Sequence, residues 1–505
     1  MKTAIYFLII VTSVLVSSYA YTQPKDGGEQ YRPKIHFTPP RHWMNDPNGM
    51  VYYKGTYHLF YQHFPEASIW GPMHWGYATS KDLFRWKHQP IAIFPDSIGM
   101  IFSGSAVVDS NNTSGFGKDG KIPLVAIYTQ HNDKMEKAGR SDYQNQSLAY
   151  SLDEGKTWIK YSRNPVLKTP NIRDFRDPKV MWHEASKKWI MTLAVVDHIE
   201  FFSSPDLKTW TRESEFGKTA GAHGGVWECP DLFTLDYNNK KHWVLIVNLN
   251  PGGPNSGSAT QYFLGDFDGK QFTPYSTETK WLDYGPDEYA GVTWSNTGNR
   301  RIFLGWMSNW NYGQVVPTEK WRSAMTIPRE LKLTEAEGKM RVASLPVSEI
   351  STLQKAGLTR NNLPPEELFD LASKFNATKI PCIIKLSLDS VKDFSFVLSN
   401  DAGEKLVIGY DMANNQYYID RTKSGIVGFH KDFASVDKAP RFLKTSNLDL
   451  TLVIDVSSVE LFADKGLSVL TSIFFPGTPY NKITFTAPGG LAIKELAFTE
   501  LKSAW

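Results

Sequence analysis

Cysteine is nearly absent. Cys229 and Cys382 are the only two in 505 residues, too few for a disulfide framework or a thiolate zinc site, and no Cys-x-x-Cys pair occurs. Net charge is also lacking: 55 Lys and Arg stand against 52 Asp and Glu, leaving +3, which gives no electrostatic footprint for nucleic acid or an anionic membrane. Long apolar runs are missing after the first twenty residues, so no later segment is expected to span a bilayer. Met1 to Ala20 itself reads as a secretory signal, with Lys2 at the charged start, an apolar stretch from Ile5 to Val16, and small residues at Ser18 and Ala20. Cleavage is expected after Ala20, giving an exported chain, periplasmic or extracellular. Sequons at Asn111, Asn112, Asn145 and Asn376 matter only in a glycosylating host.

What the chain has in excess is aromatic residues, 13% of the total within an apolar fraction of only 41%. Aromatic side chains suit pleated surfaces, and their faces also pack on the C–H surfaces of sugars. A repeated grammar favours strands. Five times a polar or acidic residue precedes a short apolar run, a turn and a second apolar run, beginning at Asp46, Ser103, Asp177, Glu228 and Tyr289. Outer runs recur before Trp86, Trp158, Trp210 and Phe272, each with an acidic turn at Asp82, Asp153, Asp206 or Asp268. Four-stranded units repeated five times predict an all-β fold, a five-bladed β-propeller over residues 31–347, because radial closure leaves few exposed edges. Stacked sandwiches compete, but they do not require a recurring grammar. In a propeller the first strand of each blade lines the central channel, so the five starting residues, three of them carboxylates, should converge.

Beyond residue 347 the grammar stops. A mostly polar connector, open to a helical reading, covers 348–365, and alternating runs at Ile383 to Leu388, Phe394 to Leu398, Lys405 to Tyr410, Leu450 to Ile454, Val459 to Phe462 and Leu467 to Phe475 predict an antiparallel β-sandwich over 366–505. No cluster of His or paired acids falls there. The sandwich therefore reads as structural support, with accessory sugar binding as the alternative.

Taken singly, the chemical motifs are modest. Asp46-Pro47-Asn48-Gly49 is a type I turn signal, and Arg176-Asp177-Pro178 could be an ion pair before a strand. Trp227-Glu228-Cys229-Pro230 sets a carboxylate between an indole and a thiol, an apolar setting that favours the protonated acid. A protonated carboxyl beside an ionised one divides labour as a retaining glycosidase does, with nucleophile and acid/base about 5 to 5.5 Å apart.

Together these motifs carry a resemblance. His42-Trp43-Met44-Asn45-Asp46-Pro47-Asn48-Gly49, Phe102-Ser103-Gly104-Ser105, Arg176-Asp177-Pro178 and Trp227-Glu228-Cys229-Pro230, in this order, closely resemble glycoside hydrolase family 32, the invertases, inulinases, levanases and related fructosyltransferases. The likeness runs from about His36 to Pro346, and Asp455 to Phe462 resembles a strand of that family's C-terminal sandwich. It implies a five-bladed propeller with a sandwich. It also implies Asp46 as nucleophile on C2 of a fructofuranosyl unit, Glu228 as acid/base, and Asp177 as the group holding ring hydroxyls, with Arg176 beside it. Trp43, Met44, Asn45, Gln62, Trp70, Phe102, Ser103 and Trp310 resemble that family's walls and hydrogen-bonding groups, and Asp283 is expected either to touch the leaving-group sugar or to cap a turn. No metal or organic cofactor is implied.

The stretches Trp70 to Gly76 and Trp281 to Trp294 look like those of exo-acting inulinases and levanases. Pro286 stands where plant-type sucrose-cleaving relatives often carry a basic residue. The expectation is a monomeric exo-β-fructosidase acting on levan or inulin and on sucrose, without nucleic-acid partners. The alternatives are a fructosyltransferase using the same covalent intermediate, a non-catalytic fructan-binding propeller, and an inverting arabinan-cleaving propeller whose carboxyls would stand about 6.5 to 9.5 Å apart.

Overall fold

A computed structural model describes residues 29–371 and 380–505. The signal segment and the Asn376 sequon lie outside the described residues. The fold is all-β, an N-terminal β-propeller followed by a C-terminal β-sandwich. Five sheets follow one another along the chain before a ten-stranded one. Their first strands are His42–Tyr53, Met100–Val108, Phe175–His183, Val226–Tyr237 and Tyr289–Thr293. Each packs beside the next, and the fifth packs back on the first.

Middle strands such as Leu124–His131 and His198–Ser204 are buried along their whole length, because each sheet is covered on both faces by its neighbours. The apolar cores accordingly sit between sheets. Val107, Val125 and Ile127 of the second sheet pack with Val180 and Met191 of the third, and Phe233 and Val244 of the fourth with Phe303 and Leu331 of the fifth.

The acidic turns have a local cause. Asp82 accepts the backbone N–H groups of Phe84 and Arg85, Asp206 those of Lys208 and Thr209, and Asp268 those of Lys270 and Gln271. Asp153 takes that of Thr157. These are side-chain-closed turns of the kind Asp favours.

The first strands begin earlier than the apolar runs suggest. Each contains a register shift, at Met44/Pro47, Ile101/Gly104, Arg176/Lys179, Glu228/Asp231 and Tyr289/Val292. A bulge breaks the two-residue alternation on which a strand is recognised, and it re-aims the extra residue. Pro47, Pro178 and Pro230 sit inside three of these bulges, where the missing N–H costs no ladder bond.

The connector expectation needs correction. Ser348–Leu353 is a short 3₁₀ turn, but Leu358–Asp370 is already a strand paired with Lys482–Glu500. Its polar residues hid it, since one edge strand needs only one apolar face. The 19-residue Lys482–Glu500 strand pairs through Lys482 to Thr486 with Phe394–Ser399 and through Ile493 to Glu500 with Cys382–Leu388. It thereby joins the sandwich strands around one core, built on residues such as Phe396, Ile408, Leu452 and Phe485. The opposite face, with Ile383, Val453, Phe462 and Val469, packs on Trp294, Trp306 and Met325 of the propeller.

Polar clamps also cross this boundary. Arg329, Asp283, Glu460 and Thr471 form one buried network, and Arg421 of the sandwich reaches Asp287 and Tyr312. His36, ahead of the first strand, lies between Asp455 and Glu460, 2.8 and 2.9 Å from their oxygens.

Candidate active site

Each bulge delivers one functional group to the ring of first strands. Asp46 Oδ2 accepts the Ser103 hydroxyl at 2.6 Å, and Oδ1 accepts the Asn45 amide at 2.9 Å. Asp177 and Cys229 both have positive φ, +65° and +42°, a backbone state that bulged positions impose. This turns the Cys229 N–H onto Asp177 Oδ2 at 3.0 Å and its thiol between two carboxylates, 3.6 Å from Asp46 and 3.7 Å from Asp177. The Asp177 N–H is held by Thr129 Oγ1. Glu228 receives two guanidinium N–H groups of Arg176 on Oε1, at 2.9 and 3.2 Å, and the Tyr289 hydroxyl on Oε2. Arg176 also donates to Asp174 at 2.6 Å.

Asp174, Asp177 and Glu228 therefore face the Arg176 guanidinium. Burial pushes the Asp177 carboxyl up to about 7, with Glu228 and Asp46 adding to the rise while Arg176 and the Cys229 N–H oppose it. Asp46 is raised as well, by burial first and by Glu228, against the Ser103 hydroxyl. Like charges packed this closely oppose one another's ionisation, which adds to burial in holding Asp46 and Asp177 toward the protonated form. The Cys229 thiol is driven far up by burial and the three surrounding carboxylates, so it stays a neutral S–H donor rather than a nucleophile.

The aromatic walls divide into lining and backing. Trp70, Phe102 and Trp310 are half-buried at the edge of the core, and Trp70 meets Phe102 edge-on at 6.2 Å. Trp43 and Met44 are 0% exposed, which corrects their expected place on the sugar-facing surface. Trp43 instead packs on Trp306 and Trp310 and donates its indole N–H to Asn45 Oδ1 at 2.7 Å. Gln62 is 2% exposed and its amide bonds Asn48 Oδ1.

Asp283 is not brought to the site. It is buried at 1% exposure, ion-paired with Arg329 at 2.8 Å and bonded to Thr471 and the Gly285 N–H. Its carboxylate satisfies a buried cation at the domain boundary, leaving nothing to offer a sugar. Trp227 likewise points away from Glu228, into the core beside Phe263 and stacked on His223, because side chains alternate along a strand. What surrounds Glu228 is Arg176 and Tyr289.

Sequence reasoning expected Tyr289 to converge on the channel but gave it no role, and it left Cys229, Asp174 and Thr129 out of the site. Cys229 lay inside a quoted motif and so carried a signal; Asp174 and Thr129 carried none.

Residues 36–344 match the model of the glycosyl hydrolases family 32 N-terminal domain, and 349–502 that of the family 32 C-terminal domain. The chain belongs to glycosyl hydrolase family 32. This family 32 chain is 45% identical to a levanase of Bacillus subtilis (strain 168), over 100% of this chain and 75% of that protein. It is 39% identical to an extracellular exo-inulinase of Aspergillus niger, over 94% of each. Among solved structures it resembles exo-inulinase from Aspergillus awamori, with TM-score 0.86, 37% identity and coverage of 95% of this chain and 99% of that one. It also resembles a fructofuranosidase from Schwanniomyces occidentalis complexed with fructosylnystose, with TM-score 0.86, 33% identity and coverage of 94% and 98%. The family 32 chain is thus a glycoside hydrolase, and its motif carboxylates Asp46, Asp177 and Glu228 are the ones joined through Cys229 and Arg176.

Proposed function

We propose that this family 32 hydrolase is a retaining, exo-acting β-fructosidase that removes terminal fructofuranosyl units from levan or inulin and from sucrose. The observation that carries the reading is the convergence of Asp46, Asp177 and Glu228 around one thiol and one guanidinium. Asp46 attacks C2 of the terminal fructosyl unit while Glu228 gives its proton to the departing glycosidic oxygen. Glu228 then takes a proton from water, whose oxygen attacks C2 and releases Asp46. Asp177, held by the Cys229 N–H, accepts hydrogen bonds from ring hydroxyls and favours the oxocarbenium-like transition state. Ser103 and Asn45 orient Asp46, and the rings of Trp70, Phe102 and Trp310 pack on the sugar's C–H faces.

The names of the levanase and exo-inulinase relatives support the substrate class. The five successive sheets and their ring of first strands support five blades, with 31–347 as catalytic domain and the sandwich as its brace. The leader-like start supports export, and the chain is read as a monomer.

A time course of products from levan, inulin and sucrose tests the reading. Free fructose alone from the first minutes is expected, and Asp46→Asn or Glu228→Gln should remove most turnover without unfolding. Early oligosaccharides refute exo action, growing chains mean transfer to sugar, and near wild-type activity in Asp46→Asn refutes the mechanism.

A further inference from the structure

A bulge leaves backbone groups that the ladder no longer pairs, and in a buried ring of strands those groups need other partners. At the bulge of the third sheet Ser105 of the second supplies them, donating its hydroxyl to the Pro178 carbonyl at 2.9 Å and accepting the Val180 N–H at 3.0 Å. The bulges of the fourth and fifth sheets share one partner. Asn248, 0% exposed, lies on strand Lys240–Asn250 opposite Glu228. Its Nδ2 donates to the Cys229 carbonyl at 2.9 Å and to the Gly291 carbonyl at 3.3 Å, and its Oδ1 accepts the Gly291 N–H at 3.1 Å. Thr260, buried on the next strand Ala259–Phe267, donates its hydroxyl to the same Oδ1 at 2.5 Å. Two bonds donated and two accepted fill the capacity of the amide. An aspartate would keep the acceptor oxygens but, when ionised, offer no hydrogen to either carbonyl.

Cys229 follows Glu228 directly, and Gly291 belongs to the bulge that Tyr289 begins. The amide therefore spans the seam between the bulge that carries Glu228 and the bulge that carries its hydroxyl donor Tyr289. We propose that Asn248 is a positioning residue for proton transfer: its amide fixes the separation of the two bulges, and so holds the Glu228 carboxyl on the Tyr289 hydroxyl and aimed at the departing glycosidic oxygen. This rests on the fructosidase reading, in which Glu228 is the acid/base. The hydrogen bonds of Asn248 go to backbone and to Thr260, so its loss leaves the sugar-binding groups in place and acts on the step that needs a well-placed proton. Misplacing a reacting group by about 1 Å costs about 100-fold in rate.

The test compares two leaving groups. Sucrose needs a proton on its glycosidic oxygen as the C2–O bond breaks, whereas β-fructofuranosyl fluoride loses fluoride, which departs with the bonding pair and needs no proton from Glu228; in both, Asp46 forms the new bond to C2. The ratio kcat/KM reports that first step. For Asn248→Ala it should fall about 100-fold on sucrose, through kcat with KM within about 2-fold, and stay within about 5-fold on the fluoride. Activity on the fluoride is also the control for folding. Thr260→Val, which removes one anchor of the amide, should show the same split at about 5-fold, and it decides the matter if Asn248→Ala does not fold. Equal losses on the two substrates, a rise in KM alone, or no loss on sucrose overturns the role of Asn248. Glu228→Gln should give the same split, larger. Equal losses in that variant, or a wild type inactive on both substrates, overturn the fructosidase reading instead, a separate outcome.

Discussion

His36 offers the sharpest test of how the two domains are held. Its Nδ1 lies 2.8 Å from Asp455 and its Nε2 2.9 Å from Glu460, and all three side chains are 0% exposed. Burial alone would push the imidazole down, but hydrogen bonds and charge from both carboxylates reverse this and take it up to about 9 from 6.5. Arg329, on the other oxygen of Glu460, and Asp283 beyond it complete the buried charges around the ring. A rise of that size is worth about 3 kcal/mol, at roughly 1.4 kcal/mol per pH unit. Because the folded-state value is the higher one, this stabilisation is fully present below pH 6.5 and is lost as pH rises through 9. Urea unfolding of the wild type and of His36→Gln, at pH 6 and pH 9.5, isolates it. The wild type should exceed the variant at pH 6 by a margin that shrinks by about 3 kcal/mol at pH 9.5. Packing lost with the ring is independent of pH and drops out of the comparison. A margin that stays constant between the two pH values refutes a buried imidazolium.

Other outcomes follow from the site. Tyr289→Phe removes a donor to Glu228 and should cost about 1.5–3 kcal/mol of transition-state stabilisation, a 10- to 100-fold fall; the fall should appear in kcat with little change in KM and with an altered pH profile, and a change in KM alone would deny Tyr289 its positioning role. Asp174→Asn takes a negative charge from beside Arg176, leaving more positive field for the carboxylates, so the limb of the kcat/KM profile near pH 7 should move down by about half a unit; an upward or absent shift would contradict the cluster electrostatics. Gly49 has φ +52°, and a Cβ there would lie 2.6 Å from Phe60 and 2.7 Å from Trp75, so Gly49→Ala should destabilise by about 1–3 kcal/mol in thermal unfolding.

The legible part of this protein was local. Acidic turns at Asp82, Asp153, Asp206 and Asp268 announce themselves because Asp closes its own turn, and their regular return marked four of the five sheets. The four motifs in order marked the family and its three carboxylates. Less was legible where regular alternation fails: the bulges at Asp46, Asp177 and Glu228 pushed the strand starts later in the sequence reading than in the fold. The strand Leu358–Asp370 was hidden by its polar residues.

By itself the sequence determined the secondary-structure grammar, the turns and the identities of the groups that do chemistry. Tertiary structure decided which of them face the pocket, because that depends on partners far along the chain. Asp283 became a bond to Thr471 and Arg329 across the domain boundary rather than a sugar ligand. Trp43 became a buried support for Asn45 and Trp310, and Cys229, which looked like an apolar neighbour of Glu228, became the contact between Asp46 and Asp177. A side chain's chemistry is written in its type, but its exposure and its partners are set only when distant strands close around it.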